Sequence, residues 1–375
     1  MAVTTDYLID LNEMEMPSIL RVDHNLYAAT FVLMKLIVAR CILRRAEQEG
    51  LLRRGGHVFE STSGTMGLGL AYACRESGYR LTLISDPVID EGLRLKLEAL
   101  GAKVVIVDTP LANGGFQGAR LKMLKKLRSQ VPQSYWTRQY DNVHAVLAYY
   151  SAAKRIADSV GCVNFLVASV ATGGSATGLI RGLREVGQNV RLIAVDTHSS
   201  VLFGQPDGTR LLRGLGNSIV PKNLDYSLVK QCHWVSAAEA FQMTAKLFRD
   251  HLLDVGPTSG ATYLVARWIA EQNPNQNVVF VCADTGERYR ETVYNPGWLA
   301  SNGLLGPIPH RPRLVKYPDN AGTSWAYMQW NSRQLSDLTT TSELRAQPPR
   351  TRVDSISLPD SLRQTQAQGL KRFRT

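Results

Sequence analysis

Small, hydroxyl-bearing residues separate two apolar patterns near the middle of the chain. Residues 166–170 form an apolar run, and Leu179, Ile180 and Leu183 then recur at helix spacing after the segment ATGGS at 171–175. This order predicts a strand, a tight loop and a helix. The first N–H groups of a helix lack intrahelical partners and lie at the positive end of its dipole, so this loop can bind a phosphate. A turn that binds nothing fits the segment equally well, because short glycine motifs match by chance.

Two further segments of the same kind each precede a predicted helix. They are STSGT at 61–65 and PTSGA at 257–261. Taken singly, each is also typical of a helix-capping turn. A parallel sheet that brought the ends of three such strands together would make a pocket for a ligand with several anionic groups. The three segments together are therefore more specific than any one of them.

The elements that must position these loops alternate between helical patterns and short apolar runs over residues 20–300, which indicates an α/β fold with a doubly wound parallel sheet. The predicted helices cover 31–49, 91–100, 116–128, 144–158 and 237–252, and further helices start after 61–65, 171–175 and 256–262. The predicted strands cover 57–60, 80–85, 103–108, 166–170, 191–196 and 277–284. We expect loops at 135–142 and 204–221, and long ordered loops often cover sites.

Composition and charge exclude several classes of protein. The formal net charge is +11, and residues 311–375 carry 11 Lys/Arg against 5 Asp/Glu, so most of the surplus lies in this segment. The rest has no basic stripe with interleaved aromatics, so the sequence does not predict nucleic-acid binding outside the C-terminal segment. No apolar run approaches about 18 residues, and the first residues do not read as a signal peptide. We therefore expect a cytoplasmic protein without a membrane span.

The cysteines and histidines do not form a metal-binding pattern. The chain has five cysteines and seven histidines, and no two cysteines form a CxxC pair. Wide spacing of this kind argues against a zinc site or a disulfide framework, so we predict no metal.

At this point the residues resemble the cysteine synthase family, the β-replacing branch of the fold type II enzymes that use pyridoxal phosphate. The family's carboxylate loop, phosphate cup and pyridine-facing turn are similar to Thr62–Gly67, Ala171–Ser175 and Gly256–Gly260, over about residues 17–300 as a whole. The resemblance implies that the α-carboxylate of an amino-acid substrate binds Thr62, Ser63 and Gly64. It implies that Thr65, Ala171, Thr172, Gly173, Gly174, Ser175 and Thr258 bind the cofactor.

Lys35 is the lysine that matches the family's Schiff-base residue. Ala46, Glu47 and Gly50 follow it at the family's spacing. Without the three loops, Lys35 is better interpreted as a helix lysine whose stem lies along apolar surface. The resemblance implies that Lys35 holds the cofactor and later takes the substrate Cα proton, and that Gln139 helps to bind the substrate carboxylate. The segment around Lys35 lacks the family's Asp and Arg after the lysine, and Thr65 and Ala171 replace an Asn and a Gly.

A finer resemblance is to the branch that makes N-(2-amino-2-carboxyethyl)-L-glutamate. The shared pieces are ESTSG (60–64), YWTRQY (135–140), AVDTHSSVLFG (194–204) and GERYRETVYNPGWL (286–299). This resemblance implies β-replacement on O-phosphoserine or O-acetylserine through an aminoacrylate, with sulfide or an amine as nucleophile. The products would be cysteine or a 2,3-diaminopropionate-type amino acid. Arg213 falls where phosphoserine-using relatives place a phosphate-binding arginine, although covering loop backbone is an equally good role for it.

The family resemblance also implies the domain organisation. We expect a fold like that of tryptophan synthase β, in which two doubly wound α/β lobes hold the cofactor in their cleft. The large lobe would comprise 1–26 and 143–306, the mobile small lobe 27–142, and a basic extension 307–375, with disorder after Thr339. Trp325, Tyr327 and Trp330 predict one docked patch in that extension. The resemblance further implies a homodimer that acts on small amino acids.

Two alternatives from other classes remain at this stage. The first is a catalytically degenerate relative that keeps the fold and acts as a binding or regulatory protein. The second is a protein that associates with nucleic acid through residues 311–375. A coloured protein with bound pyridoxal phosphate would argue against the first, and absence of salt-sensitive binding to DNA or RNA against the second.

Overall fold

The structure is a computed structural model that describes residues 10–112 and 114–338. Its α-helices are α1 (Leu11–Glu15), α2 (Met34–Gln48), α3 (Thr65–Ser77), α4 (Glu91–Ala99), α5 (Gly115–Ser129), α6 (His144–Leu147), α7 (Tyr150–Val160), α8 (Gly174–Glu185), α9 (Ala237–His251), α10 (Pro257–Gln272) and α11 (Pro296–Ser301). Its strands are β1 (Ser18–Asp23), β2 (Leu26–Thr30), β3 (His57–Ser61), β4 (Arg80–Ser85), β5 (Lys103–Ile106), β6 (Tyr135–Trp136), β7 (Phe165–Ser169), β8 (Arg191–Thr197), β9 (Val229–Val235), β10 (Val278–Cys282), β11 (Arg313–Leu314) and β12 (Ala326–Gln329).

Within the described residues the strands form two sheets. The larger sheet has the order β1-β2-β10-β7-β8-β9-β12-β11, and the smaller sheet has the order β5-β4-β3-β6. All neighbours in the smaller sheet run parallel, as do β2, β10, β7, β8 and β9 in the larger one. Helices follow most of these strands, which confirms the predicted α/β fold with parallel sheets.

The central strands of the larger sheet are buried. Every residue of β7 and β10 is buried, as expected for parallel strands covered on both faces. Leu166, Val167, Phe280 and Val265 are all 0% exposed, and α10 packs against both strands. The apolar runs that predicted these strands thus form the core of the larger sheet. The loop at residues 171–175, which we call the cup, follows the end of β7 in this sheet.

Several predicted elements differ from the structure in detail. The predicted helix 144–158 is divided into α6 and α7, and the predicted loop 135–142 begins with the short strand β6. Strands β1, β2 and β9 were not predicted. Tyr149 at the break between the two helices is fully buried, and its hydroxyl group donates to the Met34 carbonyl over 3.4 Å. The break between α6 and α7 is therefore set by tertiary packing, which cannot be predicted from the local sequence.

The domain boundary predicted between residues 26 and 27 falls within a strand of the larger sheet. Strand β2 (Leu26–Thr30) forms parallel hydrogen bonds with β10, so it belongs to the larger sheet although it falls within the predicted small lobe. The strands of the smaller sheet lie between His57 and Trp136. By internal contacts, the described residues up to Leu335 form one compact unit that includes both sheets.

The first part of the predicted C-terminal extension completes the larger sheet. Strand β12 pairs antiparallel with β9, and Trp325 and Trp330 are 2% and 0% exposed. The Trp325 indole N–H donates to Nδ1 of the buried His233 over 3.2 Å, and burial lowers the pKa of His233 to about 3. Trp325 and Tyr327 pack with His233 and Trp268, whereas Trp330 packs with Phe203 and Tyr226. The predicted aromatic residues are therefore docked, but in two clusters and not in one patch. The disorder predicted after Thr339 concerns residues outside the described part of the chain.

Candidate active site

The cup lies between β7 and α8 and is shaped by close backbone contacts. Gly173 has φ +79°, and a Cβ atom at this position would lie 2.5 Å from the backbone of Leu224. Only glycine adopts this conformation readily and leaves that space free. The Asn217 amide group donates to the Ala171 carbonyl over 3.3 Å and holds the loop from the other side. The first N–H groups of α8, which begins at Gly174, have no acceptors within the helix, so the cup offers donors for a phosphate group.

Lys35 reaches the cup from the first turn of α2. Its Nζ atom lies 3.5 Å from Oγ1 of Thr172, a residue that is 8% exposed. Burial lowers the pKa of the Lys35 ammonium group to about 8, which makes the free amine accessible near neutral pH. Gly69 of α3 permits this placement, because a Cβ atom there would lie 2.7 Å from the Lys35 carbonyl oxygen.

Thr258 lies in the first turn of α10, directly after Pro257. It is 5% exposed, and among the described residues its Oγ1 atom has no hydrogen-bond partner. A buried hydroxyl without a hydrogen-bond partner costs free energy, so this group is suited to form a hydrogen bond with a ligand atom. Gly214 lies over this threonine: its φ is +86°, and a Cβ atom there would lie 2.9 Å from Thr258 Cγ2.

The loop at 61–65 connects β3 to α3 and faces Gln139. The Gly64 N–H group donates to Thr62 Oγ1 over 3.1 Å, and Thr65 is the first residue of α3. The Gln139 side-chain amide donates to the Ser61 carbonyl over 2.9 Å. Because a carbonyl oxygen only accepts, this contact fixes which end of the Gln139 amide is nitrogen. One N–H of that amide remains for a carboxylate.

Loop contacts bring these groups into one region. The Gly216 N–H group donates to the Val170 carbonyl over 2.9 Å, next to the cup, while Gly214 in the same loop lies against Thr258. Asn223, beside the residue that covers Gly173, donates from its amide to the Gln139 carbonyl over 3.0 Å. Residues 214–224 thus connect the cup, Thr258 and Gln139. Lys35 meets the cup directly at Thr172, and Gln139 meets the 61–65 loop at Ser61.

Arg120 is a site residue that the sequence did not reveal. Basic residues on a helix such as the predicted 116–128 are usually solvated, but Arg120 is 7% exposed, and one guanidinium nitrogen contacts both Ser63 Oγ at 3.1 Å and Asp86 Oδ2 at 3.2 Å. A signal was present, because Arg120 precedes the buried Leu124 by one helical turn and so shares its face.

Arg213 is exposed, and its guanidinium group lies within the electrostatic reach of this pair. Partial desolvation lowers the pKa of Arg213, the nearby Asp86 opposes that shift, and Arg210 and Arg120 add to it. The described residues give no hydrogen bond or ion pair to Arg213, whereas Arg120 is paired with Asp86. Two guanidinium groups beside one carboxylate leave a surplus of positive charge next to Ser63.

These residues fit pyridoxal phosphate by their chemistry. The cup offers N–H donors to a phosphate, Lys35 offers an amine to an aldehyde, and the unpartnered hydroxyl of Thr258 can serve a ring nitrogen. Among the described residues there is no cluster of three or more His, Cys, Asp or Glu side chains arranged to hold a metal. No helix in the described ranges is long and apolar enough to cross a bilayer.

Solved structures of two proteins share this fold. A hydrogen sulfide-producing enzyme from Fusobacterium nucleatum is 24% identical with a TM-score of 0.70, covering 74% of this chain and 98% of that chain. O-ureido-L-serine synthase is 24% identical with a TM-score of 0.69, covering 77% of this chain and 98% of that one. Its O-ureido-L-serine-bound lysine-to-alanine variant is 24% identical with a TM-score of 0.69, covering 79% and 98%. These proteins establish the similarity in fold.

The profile of the family described as "Pyridoxal-phosphate dependent enzyme" matches residues 34–284, which is more than half of the chain. The fold is that of the type II enzymes of this cofactor. The chain belongs to the pyridoxal-phosphate dependent enzyme family, and its cofactor is pyridoxal 5'-phosphate. Family membership favours an enzyme over the cofactor-free binding protein considered from the sequence.

Proposed function

We propose that this protein catalyses β-replacement on an O-activated L-serine. In this proposal Lys35 holds the cofactor, Thr62, Ser63, Gly64 and Gln139 bind the substrate α-carboxylate, and the cup and Thr258 hold the cofactor at its phosphate and ring nitrogen. Bound pyridoxal phosphate supplies the electron sink that allows the substrate to lose its Cα proton and its β-substituent. A nucleophile then takes the place of that substituent.

The observation that carries the proposal is the position of Lys35. Its amine lies 3.5 Å from Thr172 in the cup, and burial brings the pKa of that amine to about 8. An amine with this pKa is partly free at neutral pH, so it can both hold an aldehyde and accept a proton from substrate Cα. Thr258 carries a neutral hydroxyl group, which leaves the ring nitrogen without a proton and favours elimination over reactions that need a full carbanion.

The choice of serine donor follows from the charges beside the 61–65 loop. Arg120 and Arg213 leave positive charge near Ser63 that a phosphate group can neutralise and an acetyl group cannot. We therefore favour O-phospho-L-serine as donor. The resemblance to the N-(2-amino-2-carboxyethyl)-L-glutamate branch, and not these charges, leads us to propose an amine as nucleophile. The two proteins of similar structure, a hydrogen sulfide-producing enzyme and O-ureido-L-serine synthase, support the broader class of serine-derived chemistry.

The test begins with the purified protein. Wild type should bind pyridoxal phosphate with a visible absorbance band, and Lys35→Ala should lose that band. Lys154→Ala is the control, because Lys154 is exposed on α7 and paired with Asp158.

Product analysis by mass spectrometry then compares O-phosphoserine with O-acetylserine, each supplied with sulfide or with L-glutamate. We expect a β-substituted alanine to form with O-phosphoserine. The proposal fails if neither donor is consumed, or if Lys35→Ala retains the wild-type band and activity.

A further inference from the structure

Glu60 is a buried carboxylate directly beneath the candidate substrate loop. It is the fourth residue of β3 and is 0% exposed. Its Oε1 atom accepts from the Ser61 N–H group at 2.7 Å and from the Trp136 indole at 3.3 Å. Its Oε2 atom accepts from the Gln139 N–H group at 3.0 Å and from the Thr137 hydroxyl group.

The partners of Glu60 favour its ionised form. Burial is the larger effect and raises the pKa of Glu60, while the hydrogen bonds from Thr137, Ser61, Gln139 and Trp136 act in the opposite direction. Three of the four partners are N–H groups, which only donate, so both oxygens of Glu60 must accept, and only the Thr137 hydroxyl group could accept a proton from it. A carboxylate satisfies all four at once, and such charge-assisted hydrogen bonds are stronger than neutral ones.

The same contacts close a ring that includes both carboxylate-binding segments. Glu60 accepts from the backbone of Ser61 on one side and of Gln139 on the other. The Gln139 amide in turn donates to the Ser61 carbonyl. Displacing Glu60 would therefore move Gln139 relative to the 61–65 loop, without any contact between Glu60 and the substrate.

We propose that Glu60 is a positioning residue that holds Gln139 against the 61–65 loop so that both receive the α-carboxylate of the amino-acid substrate. This inference rests on the proposed function, because it assigns a role within the same substrate site. It adds a residue whose effect is on substrate binding and is transmitted through Gln139. The cup and Lys35 take no part in this network.

Glu60→Gln tests the inference with almost no change in volume. If the new amide places its oxygen at Oε1, Ser61 and Trp136 keep their acceptor, and the new NH₂ group can donate to the Thr137 hydroxyl oxygen. That NH₂ group then faces the Gln139 N–H group and cannot accept from it. The reverse orientation would leave two N–H groups unpaired in place of one. The substitution is therefore expected to release Gln139 selectively.

The experiment uses the holoenzyme and L-alanine, which carries the α-amino and α-carboxylate groups but no leaving group. Binding is followed by the change in cofactor absorbance, and cofactor affinity is measured separately by fluorescence. We expect Glu60→Gln to weaken L-alanine binding by about tenfold, the equivalent of one charge-assisted hydrogen bond, with cofactor affinity changed by less than about twofold.

Trp136→Phe is the matched control. It removes a donor to the other carboxylate oxygen and leaves the Gln139 contact in place, so L-alanine should bind as to wild type. Gln139→Ala supplies the second comparison. If Glu60 acts through Gln139, adding Glu60→Gln to Gln139→Ala should cause little further loss of binding.

Several outcomes would overturn the role of Glu60. These are wild-type L-alanine affinity in Glu60→Gln, an equal loss of cofactor affinity, or an undiminished tenfold loss in the Gln139→Ala background. If Glu60→Gln does not fold, Thr137→Val replaces it: it loosens the oxygen shared with Gln139 and should weaken L-alanine binding by about threefold, and an unchanged affinity would reject the inference. A wild-type holoenzyme that gives no response to L-alanine would contradict the proposed function as well, so the two failures are distinguishable.

Discussion

At the cup, glycines lie against backbone atoms, whereas at the 61–65 loop buried charged side chains hold the structure. Cβ atoms at Gly173 and Gly174 would lie 2.5 Å from Leu224 and 3.0 Å from the Ala145 carbonyl oxygen, respectively. Beside the 61–65 loop, Glu60 collects four hydrogen bonds and Arg120 pairs with Asp86. Under the proposed function, the cofactor side is thus fixed by shape and the substrate side by electrostatics. The two sides should therefore be sensitive to different kinds of substitution.

The largest expected effect breaks the charged side. Arg120→Met removes the cation that contacts Asp86, which is 3% exposed, and leaves that carboxylate buried without its ion-pair partner. Breaking a buried pair in this way should lower the free energy of unfolding by about 3–5 kcal/mol. Urea unfolding measures it. Lys154→Met is the control, since it breaks an exposed pair and should cost at most about 1 kcal/mol. Equal losses of unfolding free energy in the two variants would contradict the expected difference between a buried and an exposed ion pair.

The second effect sharpens the comparison at Lys35. Because burial lowers the pKa of Lys35 to about 8 in the folded protein, the unfolded chain binds more protons between about pH 8 and 10.5. In cofactor-free protein the free energy of unfolding should therefore rise by about 3 kcal/mol over this interval, relative to Lys35→Met. Parallel pH profiles of the two proteins in denaturant unfolding would contradict the lowered pKa.

The third effect breaks the side that is fixed by shape. Gly173→Ala places a methyl group against the Leu224 backbone at a left-handed φ of +79° and should cost about 2–3 kcal/mol, with a large loss of cofactor affinity. Gly187→Ala is matched, because Gly187 has φ +82° and open space around its Cβ position. That variant should cost about 1 kcal/mol and leave cofactor affinity unchanged. Calorimetry and cofactor titration distinguish them.

The smallest effect concerns the charge surplus beside Ser63. Under the proposed function, Arg213→Ala should raise KM for O-phosphoserine about tenfold, the equivalent of one exposed charge-assisted hydrogen bond, and leave KM for O-acetylserine unchanged. Steady-state kinetics with both donors provide the measurement, with Arg249→Ala on the exposed surface of α9 as control. An equal change for the two donors would remove Arg213 from phosphate recognition.

Sequence predicted the cofactor side better than the substrate side. Strands β7 and β8 were predicted to within one residue of their bounds, and the residue types of the glycine-rich cup are those that its backbone geometry requires. Glycines at positive φ and apolar strands can both be recognised from the local sequence. Lys35 was assigned by resemblance, and the structure places its amine beside Thr172.

The substrate side was harder because its residues act through distant partners. Arg120 and Asp86 are separated by 34 positions, and Glu60 and Gln139 by 79, so neither contact leaves a local pattern. A charged residue on a basic helix reads as solvated unless its buried partner is known. The pairing of β2 with β10 was missed for the same reason, since it joins residues about 250 positions apart.

The strand β12 has a practical consequence for protein production. The family match ends at residue 284, yet β12 covers β9, and the Trp325 indole binds His233. The backbone N–H group of Trp325 and the hydroxyl group of Ser324 also donate hydrogen bonds to the carboxylate of the largely buried Glu239 at the start of α9. A recombinant fragment that ends at residue 284, where the family match ends, would expose an apolar sheet edge and the Glu239 carboxylate. We expect such a fragment to precipitate. Expression vectors should therefore retain at least the residues through Leu335, and tryptophan fluorescence can report whether that end has assembled.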